Sequence, residues 1–303
     1  MRIRFNKKKR KEYLRYVYML LRFRLNMMVC FFSQKTEDTL PDVLCVGVPK
    51  AATTWLYNRL KLHSQVFLPK GKELHFFDES YFVKASNKIF EHEKNKLQWL
   101  FKFNMESRLH WKWYASQFKA GDENKVGIDI TPTYCRVSKE RIALIKDTLP
   151  KTKIILIIRN PIDRAWSGAA YFMDRFYGKS LDQLDILTLK NWVFDSERLD
   201  YGNYIDMIGS WDMHYKEDEE IRYIFYDDIK DNPRKILEEV CEFIDIDKEL
   251  LPPSDQDRKT VNSNYKKTTI PDSIKTELQE IYKLQIDYLQ KRFGRDLSHW
   301  VEG

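Results

Sequence analysis

The sequence predicts an α/β fold with three layers, in which helices cover both faces of a central parallel β-sheet. Short apolar runs alternate with helical sequence along the chain, and continuous apolar runs are typical of strands that are buried on both faces. The most apolar of them is Lys153–Ile158, with the sequence KIILII. The chain has 303 residues, of which 43% are hydrophobic, and this is enough for a sizeable core in one large domain or two small ones.

Each predicted element follows from a local pattern. Apolar runs predict strands over 42–48, 66–68, 125–130, 153–158 and 221–226. Segments with helix-forming residues and spaced apolar positions predict helices over 51–63, 85–103, 111–118, 139–149, 163–176, 204–215, 233–244 and 272–293. Pro161 lies just ahead of one helix and Pro150 ends another, as expected at helix boundaries. Residues 177–200 are predicted to be a loop-rich insertion, and 251–269 a polar, basic loop.

The positive charge of the chain lies in a short N-terminal arm. Residues 1–35 carry eleven basic residues and one acidic residue, a net charge of +10, so the rest of the chain carries −3 of the total of +7. A slightly acidic body argues against a nucleic-acid-binding protein, whose positive charge usually lies on a folded face. We therefore predict a basic arm and linker over 1–41, a single domain over 42–303, and no nucleic acid as partner.

The arm is not expected to be a signal peptide or to cross a membrane. Its apolar stretch is interrupted by Arg15, Arg22 and Arg24, whereas a spanning helix needs about 20 mostly apolar residues. Two interpretations stay open: residues 1–35 contact a membrane surface as a helix, or this helix docks on the protein's own body with its charges solvated. The expected location is cytoplasmic, with at most a peripheral contact at the membrane.

The first strand ends in a loop that suits an anion. The sequence GVPKAATTWLY predicts a strand, a tight turn holding Lys50, and a helix that begins with small residues and hydroxyls. Helix N-terminal N–H groups attract anions, and Ala51 and Ala52 let the backbone approach a ligand. Thr53 and Thr54 add hydroxyl donors. This is not the Walker A pattern G-x-x-x-x-G-K-[ST], and the alternative is an ordinary turn in which a threonine caps the helix.

The strand over 153–158 is followed by the sequence RNPIDRAWS. Arg159, at the strand end, can bind a phosphate bidentately, and Ser167, about one or two turns into the next helix, is a second donor. The alternative for Arg159 is a structural ion pair with Asp163. Arg164 is expected on a solvated face of the helix.

Together, these two strand ends resemble the sulfotransferases that use 3′-phosphoadenosine-5′-phosphosulfate (PAPS). The first is similar to the family's 5′-phosphosulfate loop, commonly G-x-x-K-[SAG]-[GA]-T-[TS]-x-L, and the second to its 3′-phosphate motif, R-[ND]-P-x-x-R-x-x-S. KELHFFD at 72–78 is similar to a segment of heparan sulfate O-sulfotransferases and their bacterial relatives, and GRDLSHW at 294–300 to the end of many bacterial members. The resemblance spans 42–300. It implies a P-loop-like three-layer fold with a central parallel sheet flanked by helices, and PAPS as the donor.

The resemblance also implies roles for individual residues. Lys50 would stabilise charge on the bridging oxygen as the sulfuryl group leaves, and Arg159 and Ser167 would hold the 3′-phosphate. The residues implied to hold the 5′-phosphate are Ala51, Ala52, Thr53 and Thr54. Further donor-binding candidates in the late polar loop are Asn262, Tyr265, Lys266 and Lys267. No metal is expected, since the four cysteines are widely spaced and no cluster of metal ligands is visible.

The acceptor must lose a proton, so a general base is required. In relatives with K-E-x-H-F-F-D the glutamate serves as base, which carries over to Glu73. His75 lies two residues further, on the same side of an extended segment, and can assist or replace Glu73. Two alternatives stay open: Glu73 in an ion pair with Lys70 or Lys72, and His75 as a structural histidine that contacts a carbonyl.

The acceptor itself is less well determined by the sequence. Relatives that act on heparan sulfate often read E-K-[ST]-P-x-Y, whereas Ile130 stands here at the position of that lysine. This departure and the slightly acidic body favour a hydroxyl or amine of a small molecule or simple carbohydrate over a sulfated polyanionic glycan. Candidate acceptor contacts are Asp129, Trp111 and Trp113. Core packing is the alternative for the tryptophans and is expected for Phe76 and Phe77.

Two other functions remain as alternatives. A P-loop-like kinase is disfavoured for two reasons. Lys50 does not stand at the position of the Walker lysine, and a kinase has no known use for the RNPIDRAWS segment. The other alternative is a non-catalytic nucleotide-binding module docked through its basic arm. Deletion of residues 1–35 would abolish the function of such a module, whereas a sulfotransferase would keep its transfer activity.

Overall fold

The central sheet is parallel, as predicted. The structure is a computed structural model that describes residues 40–78, 111, 114–118, 124–253 and 268–302. The strands of this part of the chain are β1 (Val43–Gly47), β2 (Val66–Phe67), β3 (Val126–Ile130), β4 (Lys153–Ile158) and β5 (Ile221–Phe225). They form one sheet in the order β2-β3-β1-β4-β5, and all neighbouring strands pair in parallel.

Helices flank this sheet. Those in the described ranges are α1 (Thr53–Leu60), α2 (Lys139–Thr148), α3 (Pro161–Tyr177), α4 (Ile186–Val193), α5 (Ser196–Leu199), α6 (Tyr204–Asp212), α7 (Tyr226–Asp231), α8 (Pro233–Phe243), α9 (Asp272–Phe293) and α10 (His299–Glu302). Short 3₁₀ turns lie at Pro132–Arg136, Leu181–Gln183, Asp200–Gly202 and Lys248–Leu250. The helix α9 has the predicted bounds. The helix α3 is longer than predicted because Asn160 caps its first turn and Gly178, in the left-handed conformation, ends it.

The insertion over 177–200 is helical, so the prediction of a loop-rich segment is wrong. Asp185 starts α4 by accepting from the N–H of Thr188 at 2.9 Å, and Asp195 starts α5 by accepting from the N–H of Arg198 at 3.3 Å. The two helices have eight and four residues. The four-residue helix α5 is too short to show a periodicity in the sequence, and the capping aspartates of both helices resemble ordinary loop residues.

The core is built around β1 and β4. All five residues of β1 and five of the six residues of β4 are buried. Burying one valine, leucine or isoleucine side chain stabilises the fold by about 1.5–3 kcal/mol. Because both faces of these strands are covered, their sequences are continuously apolar, and this is why the sheet could be predicted.

The strand order brings three loops together at the carboxyl edge of the sheet. The strand β1 lies between β3 and β4, so the segments that follow these three strands are neighbours. At the end of β1, a Cβ on Gly47 would lie 2.7 Å from the carbonyl oxygen of Pro132 and 2.7 Å from the Cβ of Cys135. The 3₁₀ turn after β3 therefore packs directly against the end of β1. This edge is where parallel α/β sheets bind ligands.

Several predicted segments lie outside the described residues: residues 1–39 of the arm and linker over 1–41, the helix over 85–103 and most of the late polar loop. Among the helices of the described ranges, none combines the length and the hydropathy needed to cross a lipid bilayer.

Candidate active site

The loop between β1 and α1 presents an uncapped helix N-terminus. Lys50 and Ala52 have φ angles of 70° and 62°, and Ala52 is the N-cap of α1. No side chain caps this helix, and its first turn, which begins with Thr53 and Thr54, holds no acidic residue. The first N–H groups of a helix lack intrahelical partners and carry the positive end of its dipole. The alternative of a threonine cap is therefore wrong, and the geometry suits an anion.

The Lys50 ammonium lies among other cations and above an aromatic ring. Its Nζ is 4.0 Å from the centroid of the Tyr171 ring. Burial, together with the charges of Arg159 and Lys72, lowers the pKa of Lys50 to about 8. A bound anion would relieve this repulsion and favour the charged ammonium. Tyr171 was missed in the sequence because it lies four residues beyond Ser167, outside the recognised motif.

Arg159 joins the two strand ends. Its Nη1 donates to the carbonyl oxygen of Lys50, and its guanidinium lies 4.6 Å from the ring centroid of Tyr226. Tyr204 holds the backbone of Arg159, because its hydroxyl accepts from the Arg159 N–H at 3.1 Å and donates to the Arg159 carbonyl at 2.6 Å. Within the described ranges, the guanidinium contacts Lys50 and Tyr226 instead of the Asp163 carboxylate considered as an alternative.

The helix α3 carries the other two residues of interest from the RNPIDRAWS segment. Ser167 lies in its second turn and is 9% exposed. Arg164 is 2% exposed, and its Nη2 donates to the carbonyl oxygen of Arg198. The expectation of a solvated Arg164 is therefore wrong. The cause is the insertion, whose helix α5 and following 3₁₀ turn pack against α3 and cover this face.

The KELHFFD segment forms a tight loop, so the expectation of an extended segment is wrong. Glu73 and His75 have φ angles of 64° and 54°. Their side chains meet nonetheless, with His75 Nε2 3.7 Å from Glu73 Oε2, and His75 Nδ1 lies 2.8 Å from Asp78 Oδ2. Lys72 ties this loop to the first one, because its Nζ donates to Thr54 Oγ1 at 2.6 Å and to Glu73 Oε1 at 3.2 Å.

The two candidate bases differ in their protonation. Burial raises the pKa of Glu73, but the hydrogen bond from His75 and the charge of Lys72 outweigh it, so that this pKa lies below its ordinary value. Burial lowers the pKa of His75, but hydrogen bonds to Asp78 and Glu73 outweigh it and raise this pKa to about 9. At neutral pH Glu73 is a carboxylate and His75 an imidazolium. The ion pair of Glu73 with Lys72, the alternative taken from the sequence, is present as well.

A buried carboxylate lies beneath this loop. Asp129 is 1% exposed. It accepts from the hydroxyls of Tyr114, Thr131 and Tyr134 at 2.9, 2.7 and 3.1 Å. Burial raises the pKa of Asp129 to about 6, although these hydrogen bonds lower it. Such a position favours a role in holding the site over the contact with an acceptor that the sequence suggested.

The remaining candidates divide into packed residues and residues outside the described ranges. Trp111 is half-buried, with its ring centroid 4.8 Å from that of Phe76, and this contact favours packing. Phe76 and Phe77 are buried, as predicted. Outside the described residues lie Trp113, Asn262, Tyr265, Lys266 and Lys267. Within the described ranges, no three histidine, cysteine, aspartate or glutamate residues are grouped as metal ligands would be.

The fold and the three loops define the class to which this protein belongs. The sequence model of the family described as "Sulfotransferase domain" matches residues 40–286, which include both strand ends and the KELHFFD loop. The chain belongs to this sulfotransferase family.

Particular relatives show how far the similarity extends. Heparan sulfate glucosamine 3-O-sulfotransferase 3B1 of Homo sapiens is 27% identical over 161 residues, which cover 53% of this chain and 34% of that protein. Heparan sulfate glucosamine 3-O-sulfotransferase 6 of Homo sapiens is 30% identical over 138 residues, which cover 46% of this chain and 32% of that protein. The matched region thus spans about a third of the length of these relatives.

A solved structure confirms the predicted fold class. The crystal structure of a sulfotransferase from Alicyclobacillus acidocaldarius superposes with a TM-score of 0.60 at 18% sequence identity, covering 86% of this chain and 98% of that one.

Proposed function

We propose that this protein transfers the sulfuryl group of PAPS to a hydroxyl or amine of a small molecule or simple carbohydrate. The observation that carries the proposal is the direct contact between the two strand ends, where the Arg159 guanidinium donates to the carbonyl of Lys50. A single polyanionic donor can then bind both strand ends. Its phosphosulfate would contact Lys50 and the N-terminus of α1, and its 3′-phosphate would contact Arg159 and Ser167. A simple phosphate ligand would need only one of these two loops.

The loop after β1 supplies the groups for the 5′-phosphate. The first N–H groups of α1 and the hydroxyls of Thr53 and Thr54 are its donors, and the backbone of Ala51 and Ala52 lies alongside. Lys72 belongs to the KELHFFD segment and not to the motif of this first loop. Because its Nζ lies 2.6 Å from Thr54 Oγ1, Lys72 brings a further cation to this loop.

The proposed reaction is an in-line displacement. The acceptor oxygen or nitrogen forms a bond to sulfur while the bond between sulfur and the bridging phosphate oxygen breaks, which releases 3′-phosphoadenosine-5′-phosphate (PAP). The acceptor proton passes to a base, and the Lys50 ammonium stabilises the negative charge that develops on the bridging oxygen. With a pKa of about 8, Lys50 is mostly protonated at neutral pH, as this role requires.

We assign the role of base to Glu73, with His75 as its partner. The Glu73 side chain is 40% exposed and that of His75 is 12% exposed, so Glu73 is the more accessible to an acceptor. The raised pKa of His75 leaves no free basic nitrogen at neutral pH, whereas Glu73 is ionised. Glu73→Gln should therefore remove transfer; retained activity would pass the role of base to His75.

The proposed acceptor is not a densely sulfated glycan. Ile130, at the position where heparan sulfate enzymes often carry a lysine, is 3% exposed and uncharged. Outside the arm the chain also carries a net negative charge, which repels a polyanion. A neutral or cationic acceptor avoids this repulsion.

The purified full chain provides the test. Calorimetry should show binding of PAP that is much tighter than that of ATP, and labelled sulfate should pass from PAPS to one or more members of a panel of phenols, alcohols, amines and simple sugars. Sulfated heparan oligosaccharides belong in the panel as the competing class. Transfer only to these would overturn the proposed acceptor, and phosphoryl transfer from ATP would favour the kinase alternative.

The basic arm can be tested separately. Deletion of residues 1–35 should leave transfer unchanged. A full chain that shows no transfer, and whose binding function is lost with this deletion, would favour the non-catalytic module docked through this arm. Co-sedimentation with anionic lipid vesicles, with and without residues 1–35, tests the proposed peripheral contact with a membrane.

A further inference from the structure

We propose that Tyr134 is a positioning residue, whose hydroxyl holds the loop carrying Glu73 and His75 against the buried carboxylate of Asp129. This inference rests on the proposed function, because it concerns how the proposed base is held. Tyr134 lies in the 3₁₀ turn Pro132–Arg136 after β3, more than fifty residues away from the loop in sequence.

The Tyr134 hydroxyl links two groups. It accepts from the N–H of Phe76 at 2.7 Å and donates to Asp129 Oδ2 at 3.1 Å. Tyr134 is 0% exposed, so water is not available to replace either partner. Phe76 directly follows His75, and the bond therefore fixes the main chain between His75 and Asp78.

The same carboxylate anchors a second contact to Phe76. The Tyr114 hydroxyl donates to Asp129 Oδ2 at 2.9 Å. The Tyr114 ring stacks on the Phe76 ring, with centroids 4.2 Å apart and an interplanar angle of 9°. Phe76 is thus held through its main chain by Tyr134 and through its side chain by Tyr114, and both tyrosines are fixed by Asp129.

The conformation of the loop explains why it needs such an anchor. Glu73 and His75 both have positive φ angles, which residues other than glycine rarely adopt, and such conformations persist only where surrounding contacts enforce them. Thr133, the neighbour of Tyr134, donates to Asp78 Oδ2, the atom that also binds His75. One turn therefore holds the loop at two points.

Tyr134→Phe tests the proposal, because it removes the hydroxyl and keeps the ring. Tyr215→Phe is the matched control: Tyr215 is 2% exposed, and its hydroxyl has no hydrogen-bond partner within the described structure. An NMR titration of His75 in each protein reports whether the loop still places His75 beside Asp78 and Glu73.

In Tyr134→Phe the pKa of His75 should fall by about one unit or more from its value of about 9, because its bonds to both carboxylates weaken. PAP affinity should match that of the wild type, and Tyr215→Phe should change neither quantity. With an acceptor from the panel, kcat should fall roughly tenfold to hundredfold while KM for PAPS stays nearly constant.

An unchanged titration of His75 in Tyr134→Phe would overturn the proposal. If thermal melting shows that this variant does not fold, Tyr114→Phe replaces it and should lower the same pKa by a smaller amount; no shift there would overturn the proposal equally. The titration needs neither PAPS nor an acceptor. Failure of the wild type to bind PAP would therefore count against the proposed function alone.

Discussion

The proposed site has two sides that are built in opposite ways. The proposed donor side holds Lys50, Lys72 and Arg159, and the proposed base side holds Glu73, His75 and Asp78. On the donor side, burial is the main cause of the lowered pKa of Lys50, and the positive charges of Arg159 and Lys72 lower this pKa further. On the base side, His75 lies between the carboxylates of Glu73 and Asp78, which raise its pKa. The positive charges of the donor side are therefore neutralised only when an anion binds. The charges of the base side already neutralise one another in the free protein.

Lys50→Ala should break the donor side most severely. It removes the ammonium proposed to stabilise the leaving oxygen, and loss of one such group costs about 10²–10³-fold in kcat. The exposed Lys61, at the end of α1, offers a matched control, and Lys61→Ala should keep normal turnover. Steady-state kinetics with an acceptor from the panel is the measurement. Near-normal turnover of Lys50→Ala would contradict the proposed mechanism.

On the base side, His75 should make the free energy of unfolding depend on pH within a defined range. The folded pKa of His75, about 9, lies above its ordinary value of 6.5, so its contribution is fully present below pH 6.5 and is lost as the pH rises through 9. A difference of this size corresponds to about 3 kcal/mol. Denaturant unfolding from pH 6 to 10 should show this loss in the wild type but not in His75→Gln. Parallel curves for the two proteins would contradict the balanced base side.

Arg159→Ala should weaken the binding of PAP mainly through the loss of contacts to its 3′-phosphate. A hydrogen-bonded charge pair contributes about 1.5–3 kcal/mol, so PAP should bind roughly tenfold to hundredfold more weakly. Adenosine 5′-phosphate, which lacks the 3′-phosphate, should lose much less affinity than PAP, since Arg159 reaches its site only through the carbonyl of Lys50. Calorimetry with the two ligands makes the comparison, and equal losses for both would remove Arg159 from the 3′-phosphate.

The smallest expected effect is the uptake of a fraction of a proton when PAP binds. Lys50 has a pKa of about 8, and a bound anion raises it, so PAP binding at pH 8 should take up as much as roughly half a proton. Calorimetry in buffers with different ionisation enthalpies measures this uptake. Lys50→Met should abolish it, and an uptake that persists in this variant would assign the proton to another group.

Much of the fold, and the loops proposed to hold the donor, could be predicted from the sequence because the relevant patterns are contiguous. Strands that are covered on both faces must be continuously apolar, and β4 shows this over its whole length. The two donor-side motifs each lie within about ten residues of a strand end, so their chemistry is visible in a short stretch of sequence. The parallel order of the sheet then requires that they meet.

Other features depend on contacts between distant segments. No local pattern distinguishes a buried Arg164 from a solvated one, because its partner Arg198, in the insertion that covers it, lies 34 residues further along the chain. The helix α5, with four residues, is likewise too short to show a periodicity.

The KELHFFD loop shows most clearly which features the sequence predicts and which depend on distant contacts. The residue types of Glu73 and His75 were evident from the KELHFFD segment, but their left-handed conformations and opposite protonation states were not. The protonation states follow from burial and from the contacts of this loop with Lys72 and Asp78, and the Tyr134 hydroxyl joins the loop to Asp129 from the turn after β3. The sequence specifies the groups proposed to carry the chemistry, and long-range packing sets their geometry and charge, because burial and hydrogen bonding act through space.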